Sequence, residues 1–522
     1  MLSAPHPVRL AAALGGKATQ HVSAAVVSLL ALSCGMALGW TSAAAAVEHG
    51  AQGFAVSSEA WSWVGSALTL GAVAGCAAVG ALLGPLGPRA ACLALAPVFL
   101  AGWALHTWPT AVWMLVLGRA LTGFSFGATC VVVPIYTSEV GESAVRGALG
   151  SYLELNICVG VLVVYLLGAY LPLLWLNLCC LVVPAVFAAL FVWLPDSPRW
   201  LLGRGRRAAG EASGEAEAEA RREEARAAMS FYRGGQDVSA ELAELEAALK
   251  CNAEQDEDVS LAAAFNTTAS RKGLALAVGA MVLQQLSGID AVTFYASQMF
   301  RDAGTLALSA DEASLVMASA QIAAVMVSLL VVDNLGRRMV LVISSSIVCA
   351  CCVAMGFYFY LNSGEAADHS LDWVPVLVSC VYVIGFALGL GPVPWLFVGE
   401  IFPDRVKGLA SSVANASNWL CAFLVTMLFP TINDSLGVHV SFWAFGACCL
   451  VGALCVGLLY PETKGKTLDE IQDELSGRRG KRRRASQESD GIKQAEQDAS
   501  GPGAGAGTER RRYGSFDASS KL

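Results

Sequence analysis

Long apolar runs alternate with short polar stretches along almost the whole chain. Twelve runs are long enough to cross a bilayer, which takes about 20 residues each. They fall near 22–44, 60–83, 90–108, 111–136, 147–170, 172–194, 273–299, 312–332, 339–361, 372–398, 408–430 and 438–460. The pattern predicts an all-α membrane protein. A polar segment splits the runs into two sets of six. The expected organisation is an N-terminal stretch 1–21, a six-helix bundle 22–194, a linker 195–272, a second six-helix bundle 273–460 and a tail 461–522. The Glu-, Ala- and Arg-rich part of the linker, 211–228, reads as solvated and loosely helical. Between Ala228 and Leu249, apolar Phe231, Leu242, Leu245 and Leu249 stand among charges, the mark of short amphipathic helices. The tail turns basic and then Gly/Ser-rich after about 475 and reads as disordered.

One apolar run breaks the pattern. Gln284, Gln285, Ser287, Gly288, Asp290, Thr293 and Tyr295 interrupt the seventh. Polar groups at membrane depth are costly unless they face protein or a wet cavity. This run therefore reads as a helix lining a path for a hydrogen-bonding solute.

Composition agrees with the pattern: 55% of residues are hydrophobic, 15% are charged and mean hydropathy is +0.56. The net charge of −8 says little, but the placement of charge says much. With the N-terminus in the cytoplasm, 32 of the 34 Lys and Arg residues fall on the cytoplasmic side. The exceptions are Arg301, outside, and Arg119, within the fourth run. The first apolar run is too long for a cleaved signal peptide. Most of the sixteen cysteines sit inside apolar runs and read as small hydrophobes, neither disulfides nor metal ligands.

The halves echo each other. Glu139 and Arg146-Gly147 recur as Glu400 and Lys407-Gly408. Leu86-Gly87-Pro88-Arg89 recurs as Leu335-Gly336-Arg337-Arg338, and Pro195-Asp196-Ser197 as Pro461-Glu462-Thr463. Duplicated six-span halves are the layout of a transporter that rocks about a site at the interface.

These residues carry a resemblance. Gly118-Arg119, Pro134 to Glu139, Pro195 to Leu201, Gln284 to Tyr295, Asp333 to Arg338, Gly391 to Trp395, Glu400 to Pro403, Asn418-Trp419 and Pro461 to Gly465 resemble the sugar porters of the major facilitator superfamily, the glucose transporter family. Gly39-Trp40-Thr41-Ser42, Gln321 and Lys407 look most like its branch of intracellular animal glucose transporters and arthropod facilitated trehalose transporters. The resemblance implies the major facilitator fold, two six-helix bundles with short cytoplasmic helices between them.

The chemistry is consistent with that. A sugar presents many hydroxyls and apolar C–H faces, so it calls for amides and an indole. Gln284, Gln285, Asp290, Gln321 and Asn418 supply the first; Trp395 and Trp419 are candidates for the second. By resemblance these positions contact the sugar, and Phe294 and Tyr295 form an outer gate. Glu154 stands where the family commonly has Gln, and Asp290 where it commonly has Asn. The resemblance also implies an ion-pair network at the cytoplasmic face, made by Glu139, Arg146, Asp333, Arg337, Arg338, Glu400 and Lys407 and holding the outward-facing state. Gly84, Pro85 and Pro88 depart from the family pattern there, so the N-terminal part should be weaker.

Arg119 is a buried charge that needs a partner, with Glu154 one choice. Proton-driven members of the family carry an Asp near this arginine, and here the matching residue is Ala37. Facilitated diffusion of a hexose or trehalose is therefore expected over proton symport through Glu154 or Asp290. A non-transporting sugar sensor is the rival from another class, disfavoured by the short tail. No nucleophile–base pair or metal-ligand spacing points to an enzyme, and no cofactor, metal or nucleic acid is expected. The expected protein is a monomer in the bilayer with both termini cytoplasmic, in the plasma membrane or alternatively an endosomal or lysosomal one. Arg483-Arg484-Ala485-Ser486 and Tyr513-Gly514-Ser515-Phe516 are candidate tail sites for a kinase and for trafficking partners. The motifs leave the identity of the sugar open.

Overall fold

The computed structural model describes residues 15–44, 54, 56–142, 144–209, 214–256, 267–304, 308–362, 371, 373–402, 404–466 and 468–476. The candidate tail sites lie outside these residues. Twelve described helices are long and apolar enough to cross a membrane. In the first half they are Gly16–Ala43, Ser58–Leu86, Pro88–Thr107, Val112–Val140, Arg146–Tyr170 and Leu173–Phe191. In the second they are Thr268–Phe294, Ala310–Ser328, Arg337–Leu361, Val374–Ile401, Leu409–Leu436 and Val438–Leu459. Below they are the first to twelfth spans.

Small residues set the packing distances. In lipid no hydrophobic force drives helices together, so close backbone approach does much of the work. A Cβ on Gly123 of the fourth span would stand 1.9 Å from the Leu68 carbonyl oxygen of the second. The second span also runs along the eleventh, the fifth along the eighth, and the first along the distal part of the seventh. These three pairings join the halves.

Two spans are not continuous helices. The seventh ends its first helix at Leu286, turns through Gly288 at φ 89°, resumes over Ile289–Phe294 and kinks again at Tyr295 before Ala296–Asp302. Gly288 is needed there because only glycine takes that backbone conformation readily. The tenth span passes through a π-helical turn, Phe386–Leu390, and restarts at Pro392. Such turns release backbone carbonyls from the helical ladder.

The linker is more ordered than its composition implies. Helices Pro198–Ala209, Gly214–Tyr232 and Ser239–Asp256 bury Leu201, Leu202, Ala225, Met229 and Leu242 in a small core of their own. Leu245 and Leu249 pack at its edge, and Phe231 joins the main core instead. Arg233 latches this layer to the first half. It pairs with Glu142 at 3.4 Å and with Glu241, and donates to the Val140 carbonyl at 3.1 Å.

Candidate sugar-binding site

The site begins with a carbonyl that its own helix leaves open. Leu390 would normally accept from the N–H of residue 394, but residue 394 is a proline and has none. The side chain of Gln284 takes that place. Its Nε2 donates to the carbonyls of Leu390 and Gly391, each at 2.8 Å. Gln284 Oε1 accepts from Asn418 Nδ2 at 2.8 Å, and the same Asn418 nitrogen donates to the Met281 carbonyl at 3.0 Å. Asn418 Oδ1 in turn accepts from Gln285 Nε2 at 3.1 Å. Three amides thus tie the seventh, tenth and eleventh spans together. Tyr382 adds a tie the sequence did not single out, donating to the Ser287 carbonyl at 3.0 Å beside the helix break.

What this frame leaves open is more telling. Gln285 Oε1, Asp290 Oδ2 and Trp419 Nε1 are buried and have no hydrogen-bond partner among the described residues. Buried polar atoms are rarely left so, and each lacks the partner that a ligand hydroxyl would supply. Two are acceptors and one is a donor, a set matched to sugar hydroxyls. Trp419 also sets its ring edge-on to Phe126 of the first half, centroids 4.9 Å apart, so this face lies between the halves. Asn415 Oδ1 is likewise buried and unpartnered. Its signal in the sequence was the Asn415, Asn418, Trp419 spacing, which places all three on one helical face.

Other expected site residues stand apart from the amide frame. Gln321 on the eighth span and Trp395 on the tenth are half-buried and make no described hydrogen bond to it. Glu154 is half-buried on the fifth span, with Cys158 Sγ 3.9 Å from its carboxylate. The pairing of Glu154 with Arg119 is not found. Arg119 is fully buried and donates to the carbonyls of Val64, Ala37 and Gly65 and to Thr41 Oγ1. The rings of Trp40 and Phe294 lie on its guanidinium, with centroids 5.6 and 5.5 Å from Cζ. Open carbonyls and aromatic faces replace the expected carboxylate.

Phe294 and Tyr295 sit where the seventh span kinks and meets the first half. Tyr295 donates to the Thr426 carbonyl at 3.3 Å and stacks on Phe429. Around them the halves are bonded together. Tyr165 donates to the Thr293 carbonyl at 2.6 Å, Ser42 Oγ donates to Ser297 Oγ at 2.9 Å, and Ser58 Oγ donates to Asp434 at 3.1 Å. The end of the bundle away from the linker is therefore closed.

At the linker end, Glu400 accepts from Arg337 at 2.9 Å and from Thr463 at 2.7 Å, all within the second half. The backbone N–H groups of Arg337 and Arg338 donate to Glu462. Glu139 makes no described ion pair with Arg146, which donates instead to the Gly141 carbonyl at 3.4 Å. The side chains of Asp333 and Lys407 lie outside the described residues. No ion pair between two described residues joins the halves. Among the described residues the hydrogen bonds between the halves lie toward the closed end, and at the linker end Arg337 pairs with Glu400 within the second half.

A sequence profile described as "Sugar (and other) transporter" matches residues 12–475. The chain belongs to this family. The membership makes it a multi-pass transmembrane sugar transporter. It is 34% identical over 466 residues to the facilitated trehalose transporter Tret1 of Polypedilum vanderplanki, covering 88% of each chain. The same identity holds over 468 residues for Tret1 of Culex quinquefasciatus, covering 88% of this chain and 86% of that one. Among solved structures, an inward-open conformation of the xylose transporter XylE from E. coli superposes with a TM-score of 0.70. That match has 20% identity and covers 87% of this chain and 99% of the other, and it shows the fold: the major facilitator architecture.

Proposed function

We propose that this transporter moves a hexose or trehalose down its own gradient by alternating access. The observation that carries the reading is the set of open polar atoms, Gln285 Oε1, Asp290 Oδ2 and Trp419 Nε1, beside a frame already satisfied by Gln284 and Asn418. The frame holds the site's shape, and the open atoms bind sugar hydroxyls. The halves 22–194 and 273–460 rock about this site, with Phe294 and Tyr295 closing one side. Rearrangement of Glu139, Arg146, Asp333, Arg337, Arg338, Glu400 and Lys407 accompanies opening of the other. Similarity to transporters named as facilitated supports uniport. So does Arg119, whose donors are met by neutral groups and whose neighbour at position 37 is an alanine.

On this reading the protein is a carrier and no enzyme, a monomer with both termini and the linker in the cytoplasm. It resides in the plasma membrane, with an endosomal or lysosomal membrane as the alternative; kinase and trafficking partners act on its tail. Uptake of labelled glucose, fructose, galactose and trehalose in a transporter-null cell tests it. Uptake of at least one sugar that persists with an uncoupler present is the expected result. No uptake, or uptake abolished by the uncoupler, contradicts it.

A further inference from the structure

Beside the linker lies a cavity that sugar binding does not use. Its volume is about 550 Å³. Its walls include Arg89 at the start of the third span, Trp193 and Asp196 just beyond the sixth, and Trp200, Arg221 and Glu224 on the first two linker helices. The sixth span fixes its level in the bilayer. Trp175 and Trp193 are exposed at the two ends of that span. They are eighteen residues apart, about 27 Å along a helix, close to the roughly 30 Å of a hydrocarbon core. Indoles so placed sit at the two membrane–water interfaces. Between them Val182, Val186 and Leu190 are exposed one turn apart, an apolar stripe for acyl chains that leads to Trp193. The cavity therefore lies at the level of lipid headgroups, in the leaflet on the linker side.

Two of its groups are short of partners. Arg89 donates through Nη2 to the Val192 carbonyl at 2.7 Å, but its Nε is buried and has no hydrogen-bond partner among the described residues. Asp196 accepts from the backbone N–H groups of Ser197 at 2.9 Å and of Arg89 at 3.4 Å, and makes no ion pair among the described residues. Arg221 is already committed, to Glu224 at 2.7 Å and to Glu217 at 3.7 Å. The cavity thus offers one open donor to an anion and one carboxylate to a cation, side by side at the end of an acyl-chain stripe. A zwitterionic phospholipid carries both charges in that order. Its ammonium must also donate hydrogen bonds, because a carboxylate only accepts them; a primary ammonium has three N–H donors and choline has none.

We propose that this cavity binds the headgroup of phosphatidylethanolamine, its phosphate accepting from Arg89 Nε, its ammonium donating to Asp196 and an acyl chain lying along Val182, Val186 and Leu190. Both contacts are charge-assisted hydrogen bonds, the stronger kind. A lipid seated there touches the third span, the end of the sixth and two linker helices together, so it fastens the linker to the first half.

The test is a lipid preference. Full-length protein in detergent is titrated with short-chain phosphatidylethanolamine, with phosphatidylcholine of the same chains, or with glycerophosphoethanolamine, and bound ligand is counted by native mass spectrometry. Detergent removes bilayer curvature, by which the two lipids also differ. Wild type should bind phosphatidylethanolamine about tenfold more tightly than phosphatidylcholine, the effect of one charge-assisted hydrogen bond. Glycerophosphoethanolamine, with the same headgroup and no chains, should bind more weakly than either lipid. Asp196→Asn should remove the preference between the lipids, and Arg89→Gln should weaken both. If Arg89→Gln does not purify, Asp196→Asn decides alone. Equal binding of the two lipids by wild type overturns the proposal, as does a preference that Asp196→Asn leaves intact. Glycerophosphoethanolamine bound as tightly as the lipid overturns it too, because the ligand would then be a soluble headgroup.

Discussion

Gln284 and Asn418 hydrogen-bond each other at 2.8 Å while each also holds backbone carbonyls, Gln284 those of Leu390 and Gly391 and Asn418 that of Met281. The donors of both amides are engaged there, while each amide oxygen, which has two lone pairs, accepts one of these bonds. Their task is to fix the geometry of three spans, and Gln285 then presents its open oxygen from a rigid support.

Gln284→Ala should therefore act first on stability. It strands the Leu390 carbonyl and one Asn418 donor in a buried setting, where each unpaired group costs about 1–3 kcal/mol. The melting temperature of the detergent-purified variant should fall clearly, and sugar uptake should fall with it. A variant as stable as wild type would contradict the framing role.

Asp290 tests the energetics of transport. As a sugar acceptor it can be replaced by Asn, whose amide oxygen also accepts, with a change in KM of several-fold at most. Neither the wild type nor Asp290→Asn should follow an imposed proton gradient in liposomes. Wild-type uptake that tracks the gradient, and loses that dependence in the variant, would mean that Asp290 carries a proton.

Asp196 connects the linker to pH. Burial pushes its carboxyl above the ordinary range, offset in part by N–H donors from Ser197 and Arg89. The folded protein therefore holds that proton more tightly than the unfolded chain. The resulting penalty is absent below the unfolded carboxylate value of about 4 and grows as pH rises toward the folded one. Asp196→Asn keeps the acceptor and removes the ionisation. Its melting temperature should exceed wild type at neutral pH, and the gap should close as pH falls below about 4. A gap independent of pH would contradict the assignment.

Much of the architecture was legible because bilayer thickness dictates the length of each apolar run, and the twelve observed spans follow the twelve runs. Gly288 stood among the interruptions of the seventh run, which reads in the sequence as one helix, and the break there shows only in the structure. Less legible were partners that depend on three-dimensional backbone. Pro394 flags an open carbonyl only when the π-helical turn at Phe386–Leu390 brings it to Gln284. Arg119 found carbonyls of the first and second spans, which no side-chain pattern encodes, so the expected pairing with Glu154 failed. At the linker end Arg146 meets a backbone carbonyl and Arg337 pairs within its own half, partners that sequence spacing does not specify.

The central claim is that Gln285 binds transported sugar from a frame built by its neighbours. The most direct measurement is uptake of labelled glucose and trehalose by liposomes containing purified wild-type protein or Gln285→Ala. Wild type should take up sugar well above empty liposomes, and the variant should need a concentration at least about tenfold higher for half-maximal uptake. Wild-type uptake no greater than that of empty liposomes, or a variant with unchanged KM, would contradict the account.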